Sequence, residues 1–332
     1  MFVVCLAFVA SLQAVLGAFH VGHRADCQKK TLCNGNLMCA EVCERGTVKI
    51  DPWIQNSLTF QRQLQRNDKL VYFEMPSSHN SGIAEAEGFG IEKYFVSALY
   101  GGTNLDQGDD LHEGVCQYLS LTDQLNMGIR HLEIDVWWGI REQDILVCHS
   151  STPNQDTVEN ITATAKARGI PLEWDPRNLS CLGTRRYLTD VLTEIKDWMM
   201  LPENLEEIVM IYYDTKFYFT PEQVTKAHGI MASVFGSMIY KASEGNPLLK
   251  YSPQDFLARG QRVMFENLKE CWTHSRDGEQ FVFYPALWTH QFDASKFTEF
   301  PDCAVEGDRD WYGKQWVRAL DGSFLEAATR CG

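Results

Sequence analysis

Several side chains that can do acid–base or metal chemistry lie within or just after short apolar runs of this sequence. Six residues make up this set: His79, Asn80, Glu133, Asp135, His149 and Asp214. Carboxylate and amide oxygens are the ligands that hard cations such as calcium and magnesium prefer. Histidine is the side chain best suited to take up or release a proton near neutral pH. These residue types therefore indicate a hard-cation site with two acid–base groups beside it.

Spacing indicates how these side chains could meet. Glu133 and Asp135 are two positions apart, so on a strand both would point to the same side. Both interrupt the otherwise apolar run "RHLEIDVWW" (130–138), where a carboxylate has to be paired or hydrogen-bonded. Each residue taken singly has a structural explanation, because Asn favours turns and Asp214 could cap the segment after a strand. Their joint placement at successive strand ends favours a shared site.

The elements that would position this site alternate along the chain from about residue 66. Six runs are predicted as strands: 69–75, 130–138, 144–150, 207–214, 261–267 and 280–288. Between several of them, apolar residues recur at three- and four-residue spacing, which predicts helices. Strands and helices in alternation predict an α/β fold with a largely parallel sheet, whose strand ends share one edge.

The stretch 66–332 is close to the roughly 250 residues of a (β/α)8 TIM-type barrel. We therefore predict such a barrel, regular or irregular, with a small cysteine-rich N-terminal lobe. Since two of the eight strands are not visible in the pattern, an incomplete barrel or a doubly wound sheet stays open.

Composition and charge exclude several classes of protein. Of the 332 residues, 45% are hydrophobic and 22% are charged, which is the composition of a globular chain rather than a disordered one. The formal net charge is −14, and nucleic acids and anionic bilayers are bound mainly through clustered Lys and Arg. We expect no nucleic-acid partner.

The N-terminus and the cysteines predict export. The apolar stretch "MFVVCLAFVASLQAVLGAF" predicts a signal peptide over 1–17, with an uncleaved anchor as the alternative because no Lys or Arg precedes it. Removing Cys5 from the 11 cysteines leaves 10, an even number that predicts disulfides in a secreted chain. Four of them fall in a cysteine-rich segment, 18–65, where disulfides are favoured over a zinc knuckle. Sequons at Asn160 and Asn178 predict a glycoprotein.

Three stretches together have the spacing of a known catalytic pattern. "SSHNS" (77–81) fits S-H-N-[ST], "GIRHLEIDVWWG" (128–139) fits G-x-R-x-x-E-x-D-x-W, and "LVCHS" (146–150) supplies a second His after a short strand. In these features the sequence resembles the catalytic X region of phosphoinositide-specific phospholipase C. Later segments are similar to further strands of that superfamily's barrel, so the resemblance covers roughly residues 66–270.

The resemblance implies a metal-dependent phosphodiesterase barrel over 66–332. It implies four oxygen ligands for Ca²⁺, with Mg²⁺ as the alternative: Asn80, Glu133, Asp135 and Asp214. His79 and His149 would flank the phosphate, and Glu133 would also accept the proton of the attacking hydroxyl. Bacterial relatives that work without metal carry Asp and Arg where this chain has Asn80 and Asp135. Arg130 is expected to brace the barrel.

The substrate implied by the resemblance is a phospholipid, in the first place an inositol phospholipid reached by transient contact with a membrane surface. Only Lys216, Arg185 and Arg186 are candidates for binding additional ring phosphates. Phosphatidylinositol or a glycosylated relative is therefore expected rather than a more highly phosphorylated lipid.

Two other interpretations stay open. Glycerophosphodiester phosphodiesterases and the sphingomyelinase D group of spider venoms also combine two histidines with E-x-D, although the former carry His-Arg-Gly where this chain has "HNS" (79–81). A non-catalytic secreted binding protein could use the same barrel. The presence of both His79 and His149 argues against it, because a scaffold needs neither.

Overall fold

The main element of the structure is a mostly parallel sheet with helices packed against it. The computed structural model describes residues 25–34, 38–73, 75–89, 117–139, 142–148, 159, 163, 166–167, 186–215, 219–267, 270–273, 280–283, 288–289 and 317–318. The predicted signal peptide, both sequons, His149, Arg185 and Lys216 lie outside these residues. Within the described part of the chain, no helix combines the length and apolar character needed to cross a membrane.

Ten strands and five α-helices are described. The strands are β1 Lys29–Asn34, β2 Met38–Cys43, β3 Ser77–Ser78, β4 His131–Gly139, β5 Asp144–Val147, β6 Val209–Asp214, β7 Val263–Asn267, β8 Val282–Phe283, β9 Trp288–Thr289 and β10 Val317–Arg318. The helices are α1 Pro52–Gln65, α2 Leu121–Asn126, α3 Leu188–Met199, α4 Pro221–Phe235 and α5 Pro253–Ala258.

The main sheet has the strand order β3-β4-β6-β7-β8, with every neighbouring pair parallel, and β5 pairs with β4 in the antiparallel direction. The predicted α/β class with a largely parallel sheet is thus confirmed. The described residues do not show the sheet closing into a barrel. β1 and β2 form a separate antiparallel hairpin, and β9 pairs with β10.

The two faces of the sheet differ in chemistry because side chains alternate along a strand. On one face, residues such as Leu132, Ile134 and Phe265 pack against α3 and α4 in the main hydrophobic core. The alternate residues of β4, β6 and β7 form the opposite face, and the polar ones among them are His131, Glu133, Asp135, Tyr212, Asp214 and Glu266. The candidate site lies on this polar face.

The start of helix α4 is determined by its local sequence. Thr220 accepts a hydrogen bond from the backbone N–H of Gln223, and the Gln223 side chain accepts one from the N–H of Thr220. Pro221 is the first helical residue, where its missing N–H has no cost to the helix. These three residues set the point at which α4 begins.

The run 69–75 is not the strand predicted from its apolar residues. It contains a 3₁₀ helix, Leu70–Tyr72, and the strand of this region comes later, at Ser77–Ser78. Leu70 is fully buried in a second apolar cluster, and its N–H donates to the Tyr251 carbonyl at 2.9 Å. A short apolar run reports burial but does not by itself distinguish a strand from other buried conformations.

The run 144–150 contains a strand as predicted, but this strand pairs with β4 in the antiparallel direction and adds no carboxyl end to the parallel edge of the sheet. β5 covers only Asp144–Val147 and folds back along β4 through a short turn in which Gln143 has a φ of 51°. Strands joined by so short a turn can only pair antiparallel. As a result, the N–H of Cys148 donates to the carbonyl of Asp135 at 3.3 Å.

The cysteine-rich N-terminal segment contains a disulfide. Cys27 and Cys43 are bonded at the base of the β1–β2 hairpin. Cys33 and Cys148 are disulfide-bonded as well. These bonds confirm the prediction of disulfides for the chain.

Candidate functional site

The turn after β3 carries His79 and Asn80 over the polar face of β4. Asn80 has a φ of 50°, in the left-handed region that Asn tolerates better than most residues. The N–H of Ser81 donates to the Glu133 carbonyl at 2.8 Å, and the N–H of Asn80 lies 3.4 Å from Glu133 Oε2. Backbone hydrogen bonds therefore hold the turn directly beside Glu133.

A buried network of neutral side chains supports this turn from below. Ser78 Oγ donates to Gln124 Oε1 at 2.8 Å, and Gln124 Nε2 donates to the Ser81 carbonyl at 3.0 Å. Ser81 Oγ accepts from the N–H of Glu133 at 3.1 Å. Gln124 belongs to α2, so this helix ties the turn to β4.

Gly82 allows the turn to lie close to the sheet. A Cβ at this position would be 2.6 Å from Val147 Cγ1 and 3.6 Å from Ile134 Cδ1. Gly82→Ala should therefore push the turn away from β4 and β5, at a cost of roughly 1–3 kcal/mol in the free energy of unfolding. Chemical denaturation measures that cost. The added Val147→Ala substitution makes room for the new methyl group. The double variant should therefore lose less unfolding free energy than the two single variants lose in sum. Additive losses would contradict this packing.

Three carboxylates lie where the parallel pairing of β4 with β6 ends. Asp135 of β4 and Asp214 of β6 are paired by register, and Glu133 lies one pleat earlier on the same face. Glu133 and Asp135 are buried, whereas Asp214 is half-buried. With its amide nitrogen toward β4, Asn80 donates to Asp135 Oδ2 at 2.7 Å and lies 3.3 Å from Oδ1. The Asn80 amide and the Asp135 carboxylate are thus in contact.

His79 lies at the open side of the same group. Its Nε2 is 3.5 Å from Glu133 Oε2, and its side chain is 51% exposed. The structure thus brings five of the six predicted residues to one edge of the sheet. The sixth, His149, lies outside the described residues and follows Cys148, whose N–H binds the Asp135 carbonyl.

Tyr212 and Glu266 also belong to this polar face, and neither is among the residues predicted from the sequence. They form a row across the sheet, with Glu133 opposite Tyr212 and Tyr212 opposite Glu266. Burial raises the pKa of the Tyr212 phenol, and the negative charges of Asp214, Glu133, Glu266 and Asp135 raise it further. Tyr212 therefore stays a neutral phenol among carboxylates.

His131 is a third residue of this polar face that is not assigned from the sequence. Its Nε2 is 2.8 Å from Glu266 Oε1, and its Nδ1 is 2.9 Å from Ser77 Oγ. The sequence holds a signal for each of the two residues. His131 lies two positions before Glu133 and therefore on the same face of the strand, and Glu266 interrupts the apolar run of β7. Both residues are almost fully buried.

The chemistry of this edge suits a hard cation. Its oxygens come from carboxylates and one amide, which are the donors that calcium and magnesium bind. Carboxylates that share a buried edge repel one another, and a cation would offset that repulsion. Within the described ranges, no three His, Cys, Asp or Glu side chains are grouped so that they could hold a metal ion. The donor types therefore fit a hard cation, but the carboxylates are not grouped around one point, and calcium stays a prediction.

Two arginines considered in the sequence analysis are structural. Arg130 donates Nε to Glu207 Oε2 at 2.8 Å and Nη1 to the Leu125 carbonyl at 2.7 Å, so the expected bracing role is confirmed. Arg186 is buried, pairs with Glu194 and donates Nη1 to the Gly82 carbonyl at 3.0 Å. Its guanidinium lies behind the turn, which contradicts its candidacy for binding ring phosphates.

Comparisons with known proteins add little. No family model matches the sequence, and no curated protein matches it. Among solved structures, the chain is similar to a phosphatidylinositol-specific phospholipase C from Listeria monocytogenes, with 14% sequence identity and a TM-score of 0.41. The match covers 69% of this chain and 64% of the bacterial one, so it spans less than two thirds of that protein's length. A likeness this distant supports no conclusion about function.

Proposed function

We propose that the protein is a secreted, metal-dependent phosphoric diester hydrolase of the phosphatidylinositol phospholipase C type, built on a TIM-type barrel. One observation carries the proposal: acid–base and oxygen-donor side chains lie along one edge of the sheet, where the parallel pairing of β3, β4 and β6 ends. They are His79, Asn80, Glu133, Asp135 and Asp214. Enzymes with parallel barrels carry their chemistry at this edge.

The oxygen ligands of the proposed cation, Ca²⁺ or alternatively Mg²⁺, are Asn80, Glu133, Asp135 and Asp214. When bound, such a cation supplies Lewis-acid polarisation of a phosphoryl oxygen and lowers the pKa of a nearby hydroxyl. Asn80 combines two properties that a ligand at this turn needs, a side-chain oxygen and tolerance of the left-handed backbone.

The protein's own residues would move the protons. Glu133 accepts the proton of the attacking inositol 2-hydroxyl, whose oxygen bonds to phosphorus. His79 lies 3.5 Å from Glu133 and is half-exposed, so its ring can hydrogen-bond the charge that develops on the phosphate. His149 gives a proton to the diacylglycerol oxygen as its bond to phosphorus breaks. The products are diacylglycerol and a cyclic inositol phosphate.

The proposed chemistry defines the substrate class. An internal attack requires a hydroxyl next to the phosphodiester, which inositol lipids provide. Arg186 is engaged in a buried ion pair, so the site has one fewer candidate for additional ring phosphates. This favours phosphatidylinositol or a glycosylated relative, reached by transient contact with a membrane surface. The Cys27–Cys43 disulfide supports an extracellular location.

A product assay tests the proposal. The purified protein is incubated with vesicles of phosphatidylinositol or of phosphatidylcholine, in calcium or in excess chelator. We expect a cyclic inositol phosphate only from phosphatidylinositol and only with calcium. The variant Glu133→Gln, purified in the same way, should be inactive and excludes a contaminating lipase. Release of choline or cleavage of glycerophosphodiesters would favour the related barrel enzymes, and no turnover of any lipid would favour a binding protein.

A further inference from the structure

The segment after β2 docks on the turn that carries His79 and Asn80. Arg45 lies two residues after Cys43. Its guanidinium binds Glu87 through two hydrogen bonds, Nε to Oε1 at 3.1 Å and Nη2 to Oε2 at 2.8 Å. Glu87 ends the 3₁₀ turn that follows the His79–Asn80 turn in the chain. A bidentate pair of this kind fixes direction as well as distance.

A second arginine reaches the same place from the residues before α3. Arg186 pairs with Glu194 and donates to the Gly82 carbonyl, while Arg45 Nη2 lies 3.4 Å from Glu194 Oε2. Glu194 also accepts two hydrogen bonds from Thr122, one from its N–H at 2.9 Å and one from its hydroxyl at 2.8 Å. Two arginines and two glutamates thus form one balanced ion cluster directly behind the turn.

The backbone after β2 is anchored to α2 as well. Asp123 of α2 is fully buried and accepts hydrogen bonds from the N–H of Gly46 at 3.1 Å and from that of Val48 at 3.2 Å. Gly46 has a φ of 75°, a conformation that favours glycine. The neighbouring Gln124 of the same helix holds the His79–Asn80 turn through Ser81. The N-terminal hairpin and the turn therefore share one support.

The Glu87 carboxylate is charged although it is mostly buried. Burial would raise the pKa of Glu87, but Arg186 and Arg45 outweigh burial and hold this pKa below its ordinary value. The Glu87 side chain is 11% exposed, so its charged carboxylate is largely out of contact with water and depends on the nearby positive charges for compensation. Loss of Arg45 would leave that charge with one arginine fewer and would favour movement of the segment toward solvent.

We propose that Arg45 is a positioning residue of the active site. Through Glu87 it holds the His79–Asn80 turn against Glu133 and Asp135, and the Cys27–Cys43 disulfide holds Arg45 in place. The catalytic consequence rests on the proposed function, whereas the coupling between the hairpin and the turn does not. The cysteine-rich hairpin is thereby part of the catalytic unit.

Hydrogen–deuterium exchange and steady-state kinetics on the full chain test this role. In Arg45→Met, exchange of the backbone amides of 79–89 should be at least about tenfold faster, because local opening becomes easier. The value of kcat should fall by about 10- to 100-fold while KM changes little, since misplaced groups cost catalysis more than binding. Arg45→Lys keeps the charge but not the two-pronged contact, and should recover part of both losses.

Matched variants separate positioning from a general loss of stability. Arg66→Met removes another bidentate pair, from the residue after α1 to Glu206 at 2.9 and 3.0 Å, and should change neither exchange at 79–89 nor kcat. The Cys27→Ser/Cys43→Ser variant should reproduce the Arg45→Met defects. Combining the two should add little, because both act through one contact.

Glu87→Gln provides a second route should Arg45→Met fold poorly, since it removes the charge with little change in shape. Unchanged exchange at 79–89 in Arg45→Met or in Glu87→Gln overturns the proposal. If the wild-type protein hydrolyses no phospholipid, the proposed function fails, and the exchange measurement still decides whether the hairpin holds the turn.

Discussion

Replacing Asp135 by Asn should raise the calcium concentration needed for half-maximal hydrolysis by about 10- to 100-fold, with partial recovery of activity at high calcium. Replacing a residue that only hydrogen-bonds a metal ligand typically weakens metal affinity by about 10- to 100-fold. Replacing a charged residue that binds the metal directly should weaken metal affinity at least as much. Asp135 is buried, contacts the Asn80 amide and lies opposite Asp214. Asn keeps the size of the side chain and removes its charge. A calcium titration of the initial hydrolysis rate measures the effect.

Asp144→Asn is the matched control for this experiment. Asp144 is the first residue of β5, the strand that pairs with β4, the strand of Asp135. Its Oδ1 atom lies 2.9 Å from Lys226 Nζ. The Asp144→Asn variant loses the same charge, but at the turn end of the β4–β5 hairpin and not among the proposed ligands. Its calcium dependence should therefore match that of the wild type. Equal shifts in both variants would indicate a general effect of surface charge. Full activity of the wild-type protein in excess chelator would show that calcium has no role.

Local features of the fold could be predicted from the sequence because local geometry decides them. Alternation along β4 places Glu133 and Asp135 on one face whatever the rest of the chain does. The Thr220 and Gln223 caps of α4 are likewise set by residues three positions apart. The parallel pairing of the main sheet followed from the order of strands and helices along the chain.

Features that depend on distant parts of the chain could not be predicted. The run that begins at Leu70 is apolar because it fills a cluster with residues from β6 and β7, and burial alone does not specify a strand. The direction of β5 depends on a short turn whose Gln143 backbone is left-handed, and the sequence gives no Gly or Asn there as a signal. Arg45 and Glu87 are 42 positions apart, so only the folded chain reveals their contact.

The same distinction applies to the candidate site. The motif predicts which residues take part, and the structure adds their support: Gln124 beneath the turn, Gly82 against Val147, and Glu266 beside His131. These supports come from separate segments of the chain. Their types are common in any sequence, so position in the fold alone distinguishes them from other buried polar residues.

His149→Ala should lower turnover of phosphatidylinositol by about 10²- to 10⁴-fold, which is the usual contribution of a well-placed proton donor. The proposed oxygen ligands are unchanged in this variant, so the calcium concentration for half-maximal activity should stay near the wild-type value. His149 follows Cys148, whose N–H binds the Asp135 carbonyl, and this contact ties the segment before His149 to the carboxylate edge. Single-turnover rates measured over a range of calcium concentrations separate the two quantities.

A substrate with a better leaving group distinguishes a proton donor from a structural histidine. Nitrophenolate leaves without protonation, so a nitrophenyl phosphodiester of inositol should restore most of the activity of His149→Ala. The same substrate should not rescue Asp135→Asn, because the step impaired there comes before departure of the leaving group. If His149→Ala cleaves both substrates with the same large defect, His149 positions the site rather than donating a proton. If it hydrolyses the natural lipid at the wild-type rate, the leaving oxygen takes its proton from another group.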